Sequence, residues 1–236
     1  VLVPMCADNG VVEEGVTQTG QEITALVAES FLQTKAASSI MCKTVNCDIF
    51  PVDVGVATEV SILNRKIAYG TKNMAKEPAM TREQAIQAVE TGIEVACMMK
   101  EKGYQIMATG EMGIGNTTTS SAIASVLLDL PVEKMTGRGA GLSTEGFNRK
   151  IQVIKEAIAL HKPDKEDPID VLAKVGGFDI GGIAGLFLGG AACHMPVVID
   201  GVISATGAVL AAALCPQAKD YMLASHVSKE PAGELI

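Results

Sequence analysis

Short apolar runs alternate with longer stretches of helical periodicity along the whole 236-residue chain. A strand that pairs in parallel with the next must be joined to it by a long crossover, and that crossover is usually a helix. The alternation therefore predicts an α/β fold, a parallel sheet with helices on both faces. The predicted strands cover residues 1–7, 48–54, 105–109 and 196–199, and the predicted helices cover residues 21–43, 81–102, 118–128, 144–161, 168–174, 182–193 and 204–214.

Each predicted strand ends at an acidic or glycine-rich turn. Asp8 follows the first strand, Glu111 the third and Asp200 the fourth. Ligands of open parallel sheets bind outside the carboxyl ends of the strands. We therefore expect the functional residues at these turns.

The chain is predicted to form one domain over residues 1–236. The polar loop 162–168 contains two prolines, but apolar periodicity resumes directly after it, so we interpret it as internal. Residues 180–199 carry no charge over a length that could span a membrane. Their glycines and Pro196 favour a buried helix, a turn and a buried strand instead.

Composition excludes two classes of function. The formal net charge is −8, and no cluster of Lys and Arg offers the basic face that a nucleic-acid-binding protein needs. The three His residues have no metal-ligand spacing, so we predict no metal site. The six Cys residues include no Cys-x-x-Cys pair, which favours reduced thiols in a cytoplasmic protein.

The most informative segment is the glycine-rich stretch 108–121, which a strand enters and an apolar helix leaves. Backbone N–H groups and the helix dipole at such a junction form an anion site. The stretch has neither the Gly-Lys-Ser/Thr of a P-loop nor the Gly-x-Gly-x-x-Gly of a dinucleotide site. A phosphate loop and a structural turn both remain open. Glu111 would oppose a phosphate unless it faced ribose hydroxyls or a cation.

Three further regions each allow two interpretations, one functional and one purely structural. Lys150 follows a second glycine turn, residues 136–143, and either reaches a phosphate or lies on a solvated helix face. The acidic turn 8–19 either binds a ligand or is an ordinary turn. Asp179 and Asp200 either cap helices or take part in the chemistry.

Several of these segments closely resemble the nicotinate-nucleotide–dimethylbenzimidazole phosphoribosyltransferase family. They are Gly-Glu-Met-Gly-Ile-Gly-Asn-Thr-Thr at 110–118, Asp-Val-Leu-Ala-Lys-Val-Gly-Gly-Phe-Asp at 170–179 and Cys-Ala-Asp-Asn-Gly at 6–10, together with Asp200-Gly201 and Ser225-His226. The likeness runs in order over essentially the whole chain, and the glycine loops are its most specific part.

The resemblance implies a reaction. Members transfer phosphoribose from nicotinate mononucleotide to a base, usually 5,6-dimethylbenzimidazole, during cobamide biosynthesis. The products are an α-ribazole-type 5′-phosphate and nicotinate. Members are homodimers that need no metal or organic cofactor, with a Rossmann-like large domain and a small helical domain. We expect residues 1–236 to be the large domain, with the small domain largely absent.

The resemblance also assigns roles to residues. The 5′-phosphate is expected to lie against Gly113, Ile114, Gly115, Asn116, Gly139 and Lys150. Glu111 is expected to bind ribose hydroxyls and stabilise positive charge at the anomeric carbon. Asp8, Thr19 and Val27 are expected near the incoming base. Val27 stands where some members have Gln, a departure that we expect to widen acceptance to purines or phenols.

Members begin earlier and continue past Ile236, and their general base is a Glu in a Gly-Glu-Gly-type stretch that residues 1–236 do not contain. We therefore expect this chain alone to be a poor transferase. Two other hypotheses remain: a catalytically silent subunit that forms a heterodimer with a complete paralogue, and a generic nucleotide-binding module.

Overall fold

The first strand lies at the centre of the sheet. A computed structural model describes residues 1–236 and contains six strands in the order β3-β2-β1-β4-β5-β6, with all five pairings parallel. The chain therefore builds outward from β1 to one edge and then returns to build the other, which is the doubly wound, Rossmann-like order. The strands are β1 (Leu2–Ala7), β2 (Val52–Gly55), β3 (Leu63–Asn64), β4 (Met107–Met112), β5 (Val197–Ile199) and β6 (Met222–Ala224).

Nine α-helices flank the sheet. They are α1 (Glu22–Leu32), α2 (Ala37–Thr44), α3 (Arg82–Glu101), α4 (Asn116–Leu127), α5 (Val132–Met135), α6 (Thr144–His161), α7 (Pro168–Val175), α8 (Phe178–Ala192) and α9 (Val202–Leu214). Three short 3₁₀ turns complete the chain at Gly10–Glu14, Pro216–Tyr221 and Pro231–Glu234. The predicted α/β class is confirmed.

Several boundaries differ from the sequence prediction. Strand β4 continues through Glu111 to Met112, although the strand was expected to end at residue 109 and Glu111 to lie in the turn after it. The helix expected over 21–43 is two helices, because Thr34 takes the left-handed backbone conformation with φ of 53° and ends the first. Helix α8 begins at Phe178, earlier than the expected residue 182. The short edge strands β3 and β6 were not predicted, since they depend on pairing with β2 and β5.

Helices α3 and α8 pack with almost no side-chain layer between them. A Cβ atom on Gly92 of α3 would lie 2.7 Å from the Cα of Gly185 on α8, so only glycine fits at this crossing.

The start of α3 has the predicted capping box, in which Thr81 accepts a hydrogen bond from the Gln84 N–H and the Thr81 N–H donates one to the Gln84 side chain. The uncharged stretch 180–199 is accounted for by α8, a turn and β5.

One apolar core of 39 buried residues joins the sheet to its helices. It includes Met5 of β1, Ile154 of α6, Leu172 of α7 and Phe187 of α8, so side chains before and after the loop 162–168 share it. None of the helices combines the length and the apolar character that crossing a bilayer requires.

All six cysteines are free thiols, but only Cys6 and Cys42 are buried. The sulfur atoms of Cys97 on α3 and Cys193, directly after α8, lie 2.9 Å apart.

Candidate active site

A cavity of about 240 Å³ opens at the carboxyl end of β4, beside the point where the sheet order reverses. This is the position where doubly wound sheets bind their ligands. Glu111 is the only acidic side chain in its wall, and Arg138 is the only basic one. The wall consists of residues 16–19, 111–117, 138–140, Leu142 and Ile203.

The loop after β4 turns directly into α4 and forms the floor of the cavity. Gly115 precedes the helix with φ of 97°, a conformation that favours glycine, and α4 begins at Asn116. The Ile114 N–H donates to Thr24 Oγ1 at 3.1 Å, which ties the loop to α1. The positive end of the α4 dipole thus faces the cavity, an arrangement that suits an anion.

Lys150 lies beneath this loop. It is fully buried on α6, and its Nζ donates to Thr117 Oγ1 at 2.8 Å and to the Gly137 carbonyl at 3.3 Å. Burial lowers the pKa of this ammonium to about 8, although the charge of Glu230 acts in the opposite direction. Thr117 lies in the wall and Lys150 does not, so Thr117 separates the ammonium from the cavity.

Glu111 is half-buried at the end of β4. Removal from water raises the pKa of its carboxyl to about 7; the Asn116 amide opposes this rise, whereas the charges of Asp179 and Asp200 add to it. The Asn116 Nδ2 donates to Glu111 Oε2 at 2.5 Å. Glu111 therefore exchanges its proton near neutral pH.

A second carboxyl lies directly behind the wall. Asp179 is fully buried in the first turn of α8, where its Oδ2 accepts from Asn116 Nδ2 at 3.0 Å and its Oδ1 accepts from the Ile180 N–H at 3.0 Å. Burial raises its pKa to about 6, and these two hydrogen bonds moderate the rise. The Asn116 amide thus donates hydrogen bonds to two carboxyls, Glu111 and Asp179.

A family model described as "Phosphoribosyltransferase" matches residues 1–236. The chain belongs to this phosphoribosyltransferase family. A protein of Clostridium tetani named nicotinate-nucleotide–dimethylbenzimidazole phosphoribosyltransferase is 51% identical over 239 residues, which cover 100% of this chain and 66% of that protein. A Geobacter metallireducens protein of the same name is 47% identical, with 97% of this chain and 66% of that protein covered.

Solved structures show the same relationship. The crystal structure of CobT from Thermus thermophilus superposes with a TM-score of 0.95 at 39% identity, over 99% of this chain and 71% of that one. The chain spans about two thirds of the length of the curated relatives that it matches.

Within this phosphoribosyltransferase fold, most predicted ligand-binding residues lie together. Glu111, Thr19 and Gly139 are in the cavity wall together with the whole segment Gly113–Asn116. These positions come from the acidic turn, the loop after β4 and the second glycine turn. The structure therefore gathers three segments that are separate in the chain.

Five predicted residues lie outside the wall, among them Asp179 and Lys150, which are described above. Asp8 is buried beneath it, and its Oδ2 accepts a hydrogen bond from the Ala57 N–H at 2.8 Å. Val27 of α1 packs against a small apolar cluster that includes Phe31. Asp200 is exposed after β5 and borders a different, mainly apolar groove.

Nine of the 16 wall residues were not predicted as ligand-binding residues, and three of them bear on the site. Gln18 donates to the Gly141 carbonyl and closes one side of the cavity mouth. Arg138 lies at the rim, where its Nη1 donates to the Leu142 carbonyl at 2.7 Å. Ile203 comes from α9, far along the chain. The second glycine turn, which contains Arg138, was the one available signal, because a cation beside a glycine turn is typical of anion sites.

Proposed function

We propose that the cavity binds nicotinate mononucleotide and that the protein transfers its phosphoribose to a benzimidazole-type base. The observation that carries the proposal is that the N-terminus of α4, after the loop Gly113–Gly115, and the carboxyl of Glu111, at the end of β4, line the same small cavity. The helix N-terminus suits a phosphate, and the carboxylate of Glu111 suits the positive charge that develops on the sugar. The names of the relatives specify the nucleotide and the base.

The 5′-phosphate fits against the first turn of α4, with Gly139 on the opposite wall. Lys150 contributes its positive charge through Thr117, to which it is hydrogen-bonded. Binding energy at this non-reacting group positions the ribose for reaction. The ribose then extends along the loop towards Glu111.

Glu111 lies beside the ribose and, when ionised, stabilises positive charge at the anomeric carbon. The bond from that carbon to the nicotinate ring nitrogen breaks, and the electron pair stays with the nitrogen. Because that ring is already a cationic pyridinium, nicotinate leaves without a general acid. A benzimidazole nitrogen forms the new bond from the opposite face, which inverts the anomeric configuration from β to α.

The incoming base must lose its N–H proton to an acceptor. Glu111 is the only carboxylate in the wall, and the role above already occupies it. The resemblance assigns the acceptor to a Glu outside residues 1–236. The proposal includes the cytoplasmic location and the homodimer expected from the sequence, with a heterodimer as the alternative assembly.

The test is to incubate the protein with nicotinate mononucleotide and 5,6-dimethylbenzimidazole, and to identify the products by mass. Parallel calorimetry compares nicotinate mononucleotide with AMP. We expect slow formation of α-ribazole 5′-phosphate and free nicotinate, because no residue of the wall is left to accept the proton of the base, together with selective binding of the nicotinate nucleotide. Equal affinity for AMP would contradict the proposal and favour a generic nucleotide-binding module.

The same assay with adenine and with phenol replacing the benzimidazole tests the effect of Val27. We expect measurable products from these bases. The matched variant is Val27→Gln, which restores the residue expected in some relatives. It should narrow the range of bases if Val27 contributes to selection, and leave it unchanged if Val27 only packs against Phe31 and its neighbours.

A further inference from the structure

We infer that Asp179 is a positioning residue for Glu111: through the Asn116 amide it orients that carboxyl in the cavity wall and sets its protonation state. The inference rests on the proposed function in one respect, that Glu111 is the carboxylate facing the ribose. Asp179 itself does not line the cavity and touches no substrate.

The geometry depends on the two hydrogens of one amide. Asn116 Nδ2 donates one to Glu111 Oε2 at 2.5 Å and the other to Asp179 Oδ2 at 3.0 Å. Asn116 is itself buried, so its amide N–H groups depend on these two carboxyls as hydrogen-bond acceptors. A rotation of the amide that strengthened one contact would weaken the other, and the two carboxyls are therefore coupled.

The location of Asp179 keeps this arrangement fixed. Its other oxygen accepts from the Ile180 N–H, so both oxygens are engaged and the carboxyl cannot turn. A Cβ added to Gly113 would collide with Asp179 Oδ2, so the loop passes directly over this oxygen. The loop that forms the floor of the cavity thus rests on Asp179.

The charges around Glu111 are mostly negative. Asp179 on α8 and Asp200 after β5 raise the pKa of Glu111, in addition to burial. Towards β1 and β2 lie the Cys6 thiol, Asp8 and Asp53, and the charges of Glu111, Asp53, Asp179 and Asp8 raise the pKa of Cys6 further above the value that burial produces. Lys66 neutralises Asp53 through an ion pair of 3.0 Å, and Arg138 lies at the cavity rim.

Asp179 is the member of this group that shares a hydrogen-bond donor with Glu111. Ionised Asp179 opposes ionisation of Glu111 by charge repulsion, whereas the Asn116 amide favours it. Removal of the Asp179 charge should therefore lower the titration midpoint of Glu111. Removal of the Asn116 amide should raise it.

The experiment is a carbon-13 NMR titration of the ligand-free protein with carboxyl-labelled glutamate. The Glu111 signal is assigned by its absence from Glu111→Gln. We expect Asp179→Asn to lower the Glu111 midpoint by about 1 pH unit, and Asn116→Ala to raise it by about the same amount. General loosening of the site would not produce shifts of opposite sign.

The matched control is Asp220→Asn, which removes one exposed charge from the 3₁₀ turn Pro216–Tyr221. It should leave the midpoint in place. If Asp179→Asn does not fold, Asp179→Ser, which also removes the charge of Asp179, is titrated in its place. A Glu111 midpoint that stays in place in the folded variants would overturn the inference and leave Asp179 with a packing role.

Calorimetry of nicotinate mononucleotide on the same samples separates the two proposals. Shifted midpoints in a protein that does not bind the nucleotide would uphold the coupling and refute the proposed function. Unshifted Glu111 midpoints in a protein that binds the nucleotide would refute the coupling and leave the proposed function standing.

Discussion

Glu111 links the stability of the folded protein to pH. Its folded-state pKa of about 7 lies above the ordinary value of 4.5. A group whose pKa is raised by folding stabilises the fold below its unfolded pKa, and that contribution is lost as pH rises through the folded pKa. Asp179, with a folded pKa of about 6, acts in the same direction.

We therefore predict that Glu111→Gln stabilises the ligand-free protein at pH 8 relative to wild type by about 1–3 kcal/mol. At pH 4 the difference should nearly vanish, because the wild-type carboxyl is then protonated in both states. Urea unfolding at the two pH values measures it. If Glu111→Gln changed the free energy of unfolding equally at pH 8 and pH 4, the pKa of Glu111 in the folded protein would not be raised.

Lys150 is the residue with which the electrostatic part of nucleotide binding can be tested. A direct charge-assisted contact contributes roughly 1.5–3 kcal/mol. Lys150 acts only through Thr117, so the loss should be smaller, and Lys150→Ala should weaken nicotinate mononucleotide binding by up to about 10-fold. Affinity for the free base should hardly change. Lys155→Ala on the same helix removes an exposed ammonium that pairs with Glu133, and serves as the control. Equal losses for nucleotide and base in Lys150→Ala would refute the phosphate role.

At the scale of elements, the β4–α4 junction depends on close approach of backbone. A Cβ at Gly113 would lie 2.5 Å from the Ala7 carbonyl oxygen, and it would also meet Asp179. The loop must move away from β1 to accept it, which displaces the first turn of α4. Neither β1 nor α8 can yield, since both are buried in the core.

Gly113→Ala should therefore abolish calorimetric binding of nicotinate mononucleotide and lower stability by about 1–3 kcal/mol. Gly201→Ala is the matched control, because a Cβ there meets nothing within 4 Å. Wild-type affinity in a folded Gly113→Ala protein would show that the nucleotide does not rest on this loop.

At the scale of the whole molecule, the proposed transfer requires proton removal from the incoming base, and no residue of the cavity wall is left to accept that proton. We predict that residues 1–236 alone turn over about 10²–10⁴-fold more slowly than the longer Clostridium tetani relative, which is the range that a general base contributes. Product formation at matched protein concentration measures this. Equal rates would make Glu111 the first candidate for the proton acceptor.

The sequence was sufficient to predict the α/β class and three of the segments that form the cavity, because hydrophobic period and glycine turns are local signals. It did not predict the contribution of Ile203 from α9. It did not predict the helix break at Thr34, since no glycine or proline marks it. Nor could it separate Asp179 from a capping residue: its role depends on Asn116 and Glu111, more than 60 residues away. Likewise, the sequence did not show that Lys150 and Val27 lie outside the cavity wall, because that depends on how α6 and α1 pack in the fold.

The central position of β1 has a consequence for synthesis. Leu2 to Cys6 pair with Ala108 to Met112, so β1 acquires its β4 neighbour only after about a hundred further residues have been synthesised. At 5–20 residues per second, β1 waits about 5–20 s with one edge unpaired. Its buried, apolar side chains make that interval the time at which the nascent chain is most exposed to aggregation and most in need of a chaperone.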